Sequence, residues 1–269
     1  MREDGTALGS TPGAVFASGP QQLAMVVRYD GTGYHGFQKQ TGVPTIQGVL
    51  EGVLCRLLGQ GRAIGASRTD AGVHAEGQVV VWQGPVPIPL DRLVRVINRQ
   101  LPASIQVTQI FRVPNGWDPR REAVAKQYSY RLWRAPVAPG LSWYRFVYWY
   151  DGELSWDQLQ AGAQLFVGSH DFRAFRTEGS SAEGTLRQMT VSRWIQEAEG
   201  AIWRYQVVGN GFLYRMVRHM VGAMMEAAAP GGSLQMIEKG LRDPRLKVTA
   251  LAPALGLTLD WVQFREWEG

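Results

Sequence analysis

The chain is poor in several things at once. Of its 269 residues only Cys55 is a cysteine. A lone cysteine forms no internal disulfide and cannot complete a structural zinc site. Its apolar neighbours at helical spacing (Val49, Leu50, Val53, Leu54, Leu57) suggest a buried thiol. Four histidines, His35, His74, His170 and His219, are scattered along the chain. Metal binding is therefore poorly supported. No apolar run is long enough to span a bilayer, so no membrane partner is expected. Residues 1–20 hold Arg2, Glu3 and Asp4 and then Gly, Ser, Thr, Pro and Ala. Without an apolar core of signal-peptide type, this stretch predicts a flexible tail and a cytoplasmic protein.

What is present is an apolar fraction of 45%, enough for a true core. The net charge is +5 and the pI about 9.5, which favours polyanionic partners. Lysine is scarce: 24 of the 28 cations are arginine. Arginine offers a planar fork to phosphate and stacks on bases, so the bias fits RNA. Genomic composition or heat adaptation would give the same bias.

Hydrophobic periodicity predicts a strand at 21–30, a helix at 45–59, strands near 63–67 and 77–82, a helix at 90–100 and a strand at 105–113. That β-α-β-β-α-β order is ferredoxin-like. Further on, 123–133 and 145–150 read as extended and 155–167 as a helix. A hairpin is expected over 185–208, helices at 212–229 and 233–241, and a closing strand at 257–264. Pro114-Asn115-Gly116 marks the best boundary. The organisation is then a tail (1–20), an N-terminal α+β domain (21–113) and a C-terminal α+β domain (114–269), each an antiparallel sheet backed by helices. No sequence repeat relates the halves. The polar, Gly/Ser-rich stretch 173–184, which contains Arg176, predicts a mobile loop.

Gly31, Gly33 and Gly36 spell G-x-G-x-x-G after a strand, as in a dinucleotide-binding turn. Such a turn runs straight into a helix. Here Gly42 and Pro44 interrupt, and no acidic residue ends a strand some twenty positions on. No dinucleotide is expected. A tight loop carrying Tyr34, Phe37, Gln38 and Gln40 suits stacking on, and bonding to, unpaired nucleotides; a plain surface turn is the alternative. A serine hydrolase is weakly supported, because Ser67, Asp70 and His74 lack a nucleophile elbow. In Ala66 to Ala75 (ASRTDAGVHA) Asp70 sits beside Arg68 in a glycine-containing turn after a strand. It reads either as a reactive carboxylate facing a cleft or as an Asx turn. In Asn210 to Met225, Arg215, Arg218 and His219 share one side of a helix start. There the macrodipole disfavours cations unless an anion such as RNA phosphate or Asp70 is near; a solvated charged face is the other reading. Lys126, Tyr128 and Tyr130 alternate on a strand after Trp117 to Arg121 (WDPRR), a pattern for stacking bases and holding phosphates, or simply half-buried tyrosines.

Together these segments resemble the tRNA pseudouridine synthase A family, from about Met25 to Phe264. The carriers are R-T-D-A-G-V-H-A at Arg68 to Ala75, Y-D-G-T-x-Y-x-G at Tyr29 to Gly36, and K-x-Y-x-Y at Lys126 to Tyr130. H-D-F at His170 to Phe172, F-L-x-x-M-V-R at Phe212 to Arg218 and A-P-A-x-G-L at Ala252 to Leu257 follow in the same order. Phe37 departs from the family's usual Trp, which bears on loop packing. The resemblance implies two ferredoxin-like halves with a catalytic cleft between them. It implies Asp70 as catalytic nucleophile, Arg218 as its ion-pair partner, and Tyr128 stacking on uracil with a possible part in proton removal. Arg68 would help flip the target nucleotide. Trp117, Asp118, Pro119, Arg120, Arg121, Tyr34, Gln38 and Arg176 would contact RNA. It further implies a homodimer acting on uridines of the tRNA anticodon stem-loop without cofactor or metal.

The implied reaction breaks the N1–C1′ bond, turns the uracil and joins C5 to C1′. The uridine must leave the stack for this. An ordinary aspartic acid is ionised at neutral pH, and an arginine partner favours that form. Attack on C1′, addition at uracil C6 and removal of the 2′ proton to give a glycal all stay open. A non-catalytic RNA-binding protein on the same fold is the rival reading.

Overall fold

The computed structural model describes residues 21–179, 184–243 and 245–265. The expected tail at 1–20 lies outside the described residues, as does part of the 173–184 loop. In β1 (Gln21–Tyr29) Leu23, Met25, Val27 and Tyr29 join one core while Ala24 joins another, the alternation of a strand buried on both faces. α1 (Ile46–Leu58) is capped by Thr45, whose Oγ1 accepts the Gly48 N–H at 3.2 Å, and ends at Gly59 with φ +102°. β2 (Arg62–Gly65) and β3 (His74–Gln83) flank the loop that carries Asp70. α2 (Leu90–Gln100) buries Leu93 and Ile97 and turns Arg92, Arg95 and Arg99 outward. β4 (Ile105–Pro114) completes a four-strand unit in the order β4-β1-β3-β2, antiparallel throughout.

The second half contains β5 (Ala123–Trp133), the two-residue β6 (Tyr148–Trp149), α3 (Trp156–Leu165), β7 (Gly168–Asp171), β8 (Leu186–Glu197) and β9 (Ile202–Gly209). After these come α4 (Met216–Ala228), α5 (Gln235–Arg242) and β10 (Leu257–Phe264). Its strands lie in the order β10-β5-β9-β8, with β7 beyond β8. This is the order of the first half repeated, although no sequence repeat is visible. The α+β fold of two ferredoxin-like halves is therefore as expected.

Three details differ from the sequence reading. The two half-sheets are joined: Thr258 and Leu259 of β10 pair in parallel with His74 and Ala75 of β3, giving one ten-stranded sheet. The reason is strand length. Short β2 covers only Val80 to Gln83 of β3, so the other end of β3 is left as an edge for β10. The stretch expected at 145–150 shrinks to β6, while 168–171 becomes the unanticipated β7. Finally, α4 begins at Met216 and not Phe212, because Arg215 takes a left-handed conformation (φ +61°) that breaks the helix.

The helices cover one face of the sheet over the larger core. On the opposite face of the first half, Val79, Val81 and Val113 pack with Ala24, Ala66 and Trp117. Among the described residues no helix is long and apolar enough to cross a membrane.

Candidate active site

The seam between the halves brings three elements together: the loop between β2 and β3, strand β5 and helix α4. They line a cleft of about 1100 Å³, large enough for a nucleotide and the phosphates beside it. Arg68, Arg120, Arg121, Lys126, Arg187 and Arg215 line it, with Asp70 as its one carboxylate among the described residues. Such a cleft attracts a polyanion.

Asp70 does not cap its own turn. The turn is closed by backbone, with Val73 N–H donating to the Asp70 carbonyl at 3.1 Å. The side chain instead receives a hydrogen bond from Arg218 Nη1 at 3.1 Å, and the two side chains are 13% and 12% exposed. This decides against the Asx-turn reading. Arg218 is itself aimed by a second bond, from Nε to the Ala252 carbonyl at 2.8 Å, while Ala252 N–H donates back to the Arg218 carbonyl. Gly222, one turn further along α4, lets the helix press on this strap, since a Cβ there would lie 2.8 Å from Ala250 backbone.

The loop around Asp70 is fixed on both sides. Thr69 Oγ1 shares a hydrogen bond of 2.8 Å with the Tyr29 hydroxyl, and Thr69 carbonyl accepts Phe37 N–H. Two of the three glycines that suggested a dinucleotide turn serve this packing. A Cβ on Gly31 would sit 2.1 Å from the Val73 carbonyl oxygen, and one on Gly36 would sit 2.7 Å from that of Thr69. Buried Gln78 makes two bonds to Ser67, one accepted from N–H and one donated to the carbonyl. Ser67 Oγ in turn shares a 2.9 Å hydrogen bond with the Tyr128 hydroxyl.

Tyr128 meets Phe212 edge to face at 5.0 Å and opens onto the cleft. Burial, aided by the charge of Asp70 and opposed by the Ser67 bond, pushes its phenol up to about 12. It is therefore neutral at physiological pH. That suits an aromatic surface for a base and leaves little phenolate for the possible proton removal expected of it.

The remaining candidate residues divide. Arg68, Arg120, Arg121 and Gln38 line the cleft. Trp117 does not. It is buried against Phe264, with ring centroids 4.8 Å apart, and supports the sheet from behind. Pro119 is buried, and Asp118 turns back to accept Arg120 N–H at 2.8 Å, so both shape the loop that presents the arginines. Tyr34 bonds Ser104 through its hydroxyl at 2.8 Å and stands away from the cleft lining. Arg176, half-buried, is also outside that lining. His219, expected in a cationic trio with Arg215 and Arg218, is a buried neutral ring: Nδ1 donates to the Ala250 carbonyl and Nε2 accepts from Thr177, with burial holding its pKa down. Cys55 is half-buried, not fully buried. Among the described residues no three of His, Cys, Asp and Glu gather as metal ligands.

Sequence reasoning passed over Ser67's bond to Tyr128, the Ala252 carbonyl and Arg187. Only Gln78 left a signal, as an amide between the apolar residues of an inward-facing strand.

The family model described as tRNA pseudouridine synthase matches residues 25–120 and 163–265, most of the chain. The chain belongs to the tRNA pseudouridine synthase family. Relatives named tRNA pseudouridine synthase A are similar over nearly their full length. That of Acetivibrio thermocellus is 36% identical over 241 residues, 89% of this chain and 98% of the relative. That of Chlorobaculum tepidum is 35% identical over 255 residues, 93% and 100%. That of Syntrophotalea carbinolica is 37% identical over 240 residues, 88% and 94%. In this family member the motifs R-T-D-A-G-V-H-A and F-L-x-x-M-V-R, which stand nearly 150 positions apart, meet at the Asp70–Arg218 pair, |i−j| = 148.

Proposed function

We propose that this protein isomerises uridine to pseudouridine in tRNA, at the anticodon stem-loop, with Asp70 as the group that acts on the flipped nucleotide. The observation that carries this reading is a largely buried carboxylate, held by Arg218, as the one acid among the described residues of a cleft of arginines. The carboxylate is mostly shielded from water, so its charge is screened less than at an open surface. Tyr128 offers the uracil a ring to stack on and keeps it from leaving after the N1–C1′ bond breaks. C5 then bonds C1′, the C5 proton goes to solvent and N1 takes one up, so the product is an isomer of the substrate. Arg68, exposed at the cleft rim, is placed to fill the gap left in the stack. A homodimer and a cytoplasmic location extend the same reading, and family membership is their support.

The test is incubation with tRNA tritiated at uracil C5. The isomerase releases tritium to water and leaves pseudouridine in the digested RNA. Binding without release would make the protein an RNA-binding member of the fold.

A further inference from the structure

Three cations stand together on one wall of the cleft, at the foot of the Asp70 loop. Lys126 Nζ donates to the Ala66 carbonyl at 2.8 Å, and Arg120 Nε donates to the Gly65 carbonyl at 3.4 Å. These are consecutive carbonyls at the end of β2, and from them the chain runs through Ser67 and Arg68 to Asp70. Arg187, at the start of β8, bonds back to the carbonyl of its neighbour Leu186 at 2.7 Å and lines the same cleft close to Lys126. Among the described residues no carboxylate pairs with any of the three.

A partly desolvated ammonium beside two guanidinium groups, with no counter-ion among the described residues, is unfavourable until an anion arrives. Lys126 has three donors and one is used, so two remain for a ligand. It also shares a strand face with Tyr128 two residues on, about 7 Å along β5. That separation is on the scale of a base and its own phosphate.

We propose that Lys126, Arg120 and Arg187 form a phosphodiester-binding subsite that grips the backbone beside the flipped uridine and, through the Gly65 and Ala66 carbonyls, sets the root of the Asp70 loop. The subsite rests on the reading that the cleft receives a flipped uridine. Lys126 is its sensor. Burial first, and then the charges of Arg120 and Arg187, lower its ammonium to about 8. Among the described residues the other charged or titratable groups of the cleft are Arg121 beside Arg120, Tyr128 on the same strand, Arg68 and Asp70 on the loop, His35 after β1, and Tyr214 and Arg215 before α4. In the free protein Lys126 is charged below pH 8 and loses its proton above it. Phosphate favours the charged form, so binding above pH 8 must take up a proton and weaken, by up to about tenfold per pH unit.

The test uses the full chain carrying Asp70→Asn, which traps bound RNA. Its affinity for an anticodon stem-loop is measured at pH 7 and pH 9, with normal phosphates or with one neutral methylphosphonate on either side of the target uridine. One methylphosphonate position is expected to weaken binding about tenfold or more. The same exchange should cost clearly less once Lys126→Met is present, because one of the three cations that face this phosphate is then gone. The alkaline loss should vanish in Lys126→Arg, which stays charged. Equal losses with and without Lys126→Met, no loss at either position, or an alkaline decline that survives Lys126→Arg would overturn the subsite. These are binding readouts. A chain that behaves this way yet releases no tritium in its Asp70 form supports the subsite and overturns the isomerase reading alone.

Discussion

Gly36→Ala isolates how tightly the Asp70 loop must be held. The residue has φ +86°, and a Cβ there would lie 2.7 Å from the Thr69 carbonyl oxygen and 3.2 Å from both Ala71 N and the Asp70 carbonyl carbon. All three are backbone atoms, so nothing can swing aside. Left-handed backbone costs an alanine about 1–2 kcal/mol, and relieving the overlap adds about 1–3 kcal/mol. The loop must also retreat by roughly half an ångström, where a misplacement of about 1 Å is worth about a hundredfold in rate. The expectation is a loss of about tenfold or more in kcat for tritium release, with KM for tRNA little changed. Gly33→Ala is the internal control. Its φ is +80°, yet nothing lies within 4 Å of the added carbon. It should lose about 1–2 kcal/mol in urea unfolding and keep wild-type kcat. Equal kcat in the two variants would refute the argument that this contact positions Asp70.

Three further outcomes are expected. Arg218→Met leaves a buried carboxylate and the Ala252 carbonyl without a partner; with both side chains of the pair slightly exposed, a loss of about 2–4 kcal/mol in unfolding free energy is expected. The same substitution in an Asp70→Asn background should cost clearly less, and an equal cost in both backgrounds would mean the pair does not interact. Gln78→Leu breaks two bonds to Ser67 and so loosens the support of Tyr128; kcat should fall by more than KM rises, and rates equal to wild type would remove Gln78 from the site's scaffold. His74 and His219 are both held neutral, chiefly by burial. The unfolded chain takes up protons below about pH 6.5 that the native state refuses, so stability should fall as pH drops through that point. His219→Asn should flatten part of the fall, and a thermal midpoint flat from pH 7.5 to 5.5 would contradict the burial argument.

Much of this fold could be read from periodicity. Leu93 and Ile97 against three outward arginines mark α2, and Thr45 with a spaced apolar face marks α1. The joining of the halves could not be read that way. It depends on His74 and Ala75 pairing with Thr258 and Leu259, a contact between distant segments that no local pattern encodes. The late start of α4 is similar in kind: Phe212 to Arg215 are compatible with helix, and only the tertiary seating of Arg215 puts it in a left-handed state. At the site, side-chain types in motifs pointed to Asp70, Arg218 and Tyr128 through family resemblance. Backbone acceptors such as the Ala66 and Ala252 carbonyls carry no residue-type signature, so the bonds that aim Lys126 and Arg218 appear only in three dimensions. Trp117 shows the opposite error, since an aromatic beside two arginines looked like an RNA contact and is a core residue.

The proposed isomerisation requires a carboxylate at position 70 to do chemistry that no similar-sized neutral group can do. Asp70→Asn, assayed by tritium release at saturating tRNA beside a tRNA-binding titration and a melting curve, tests it most directly. Retained fold and binding with no measurable release is the expected result. Release near the wild-type rate would contradict it.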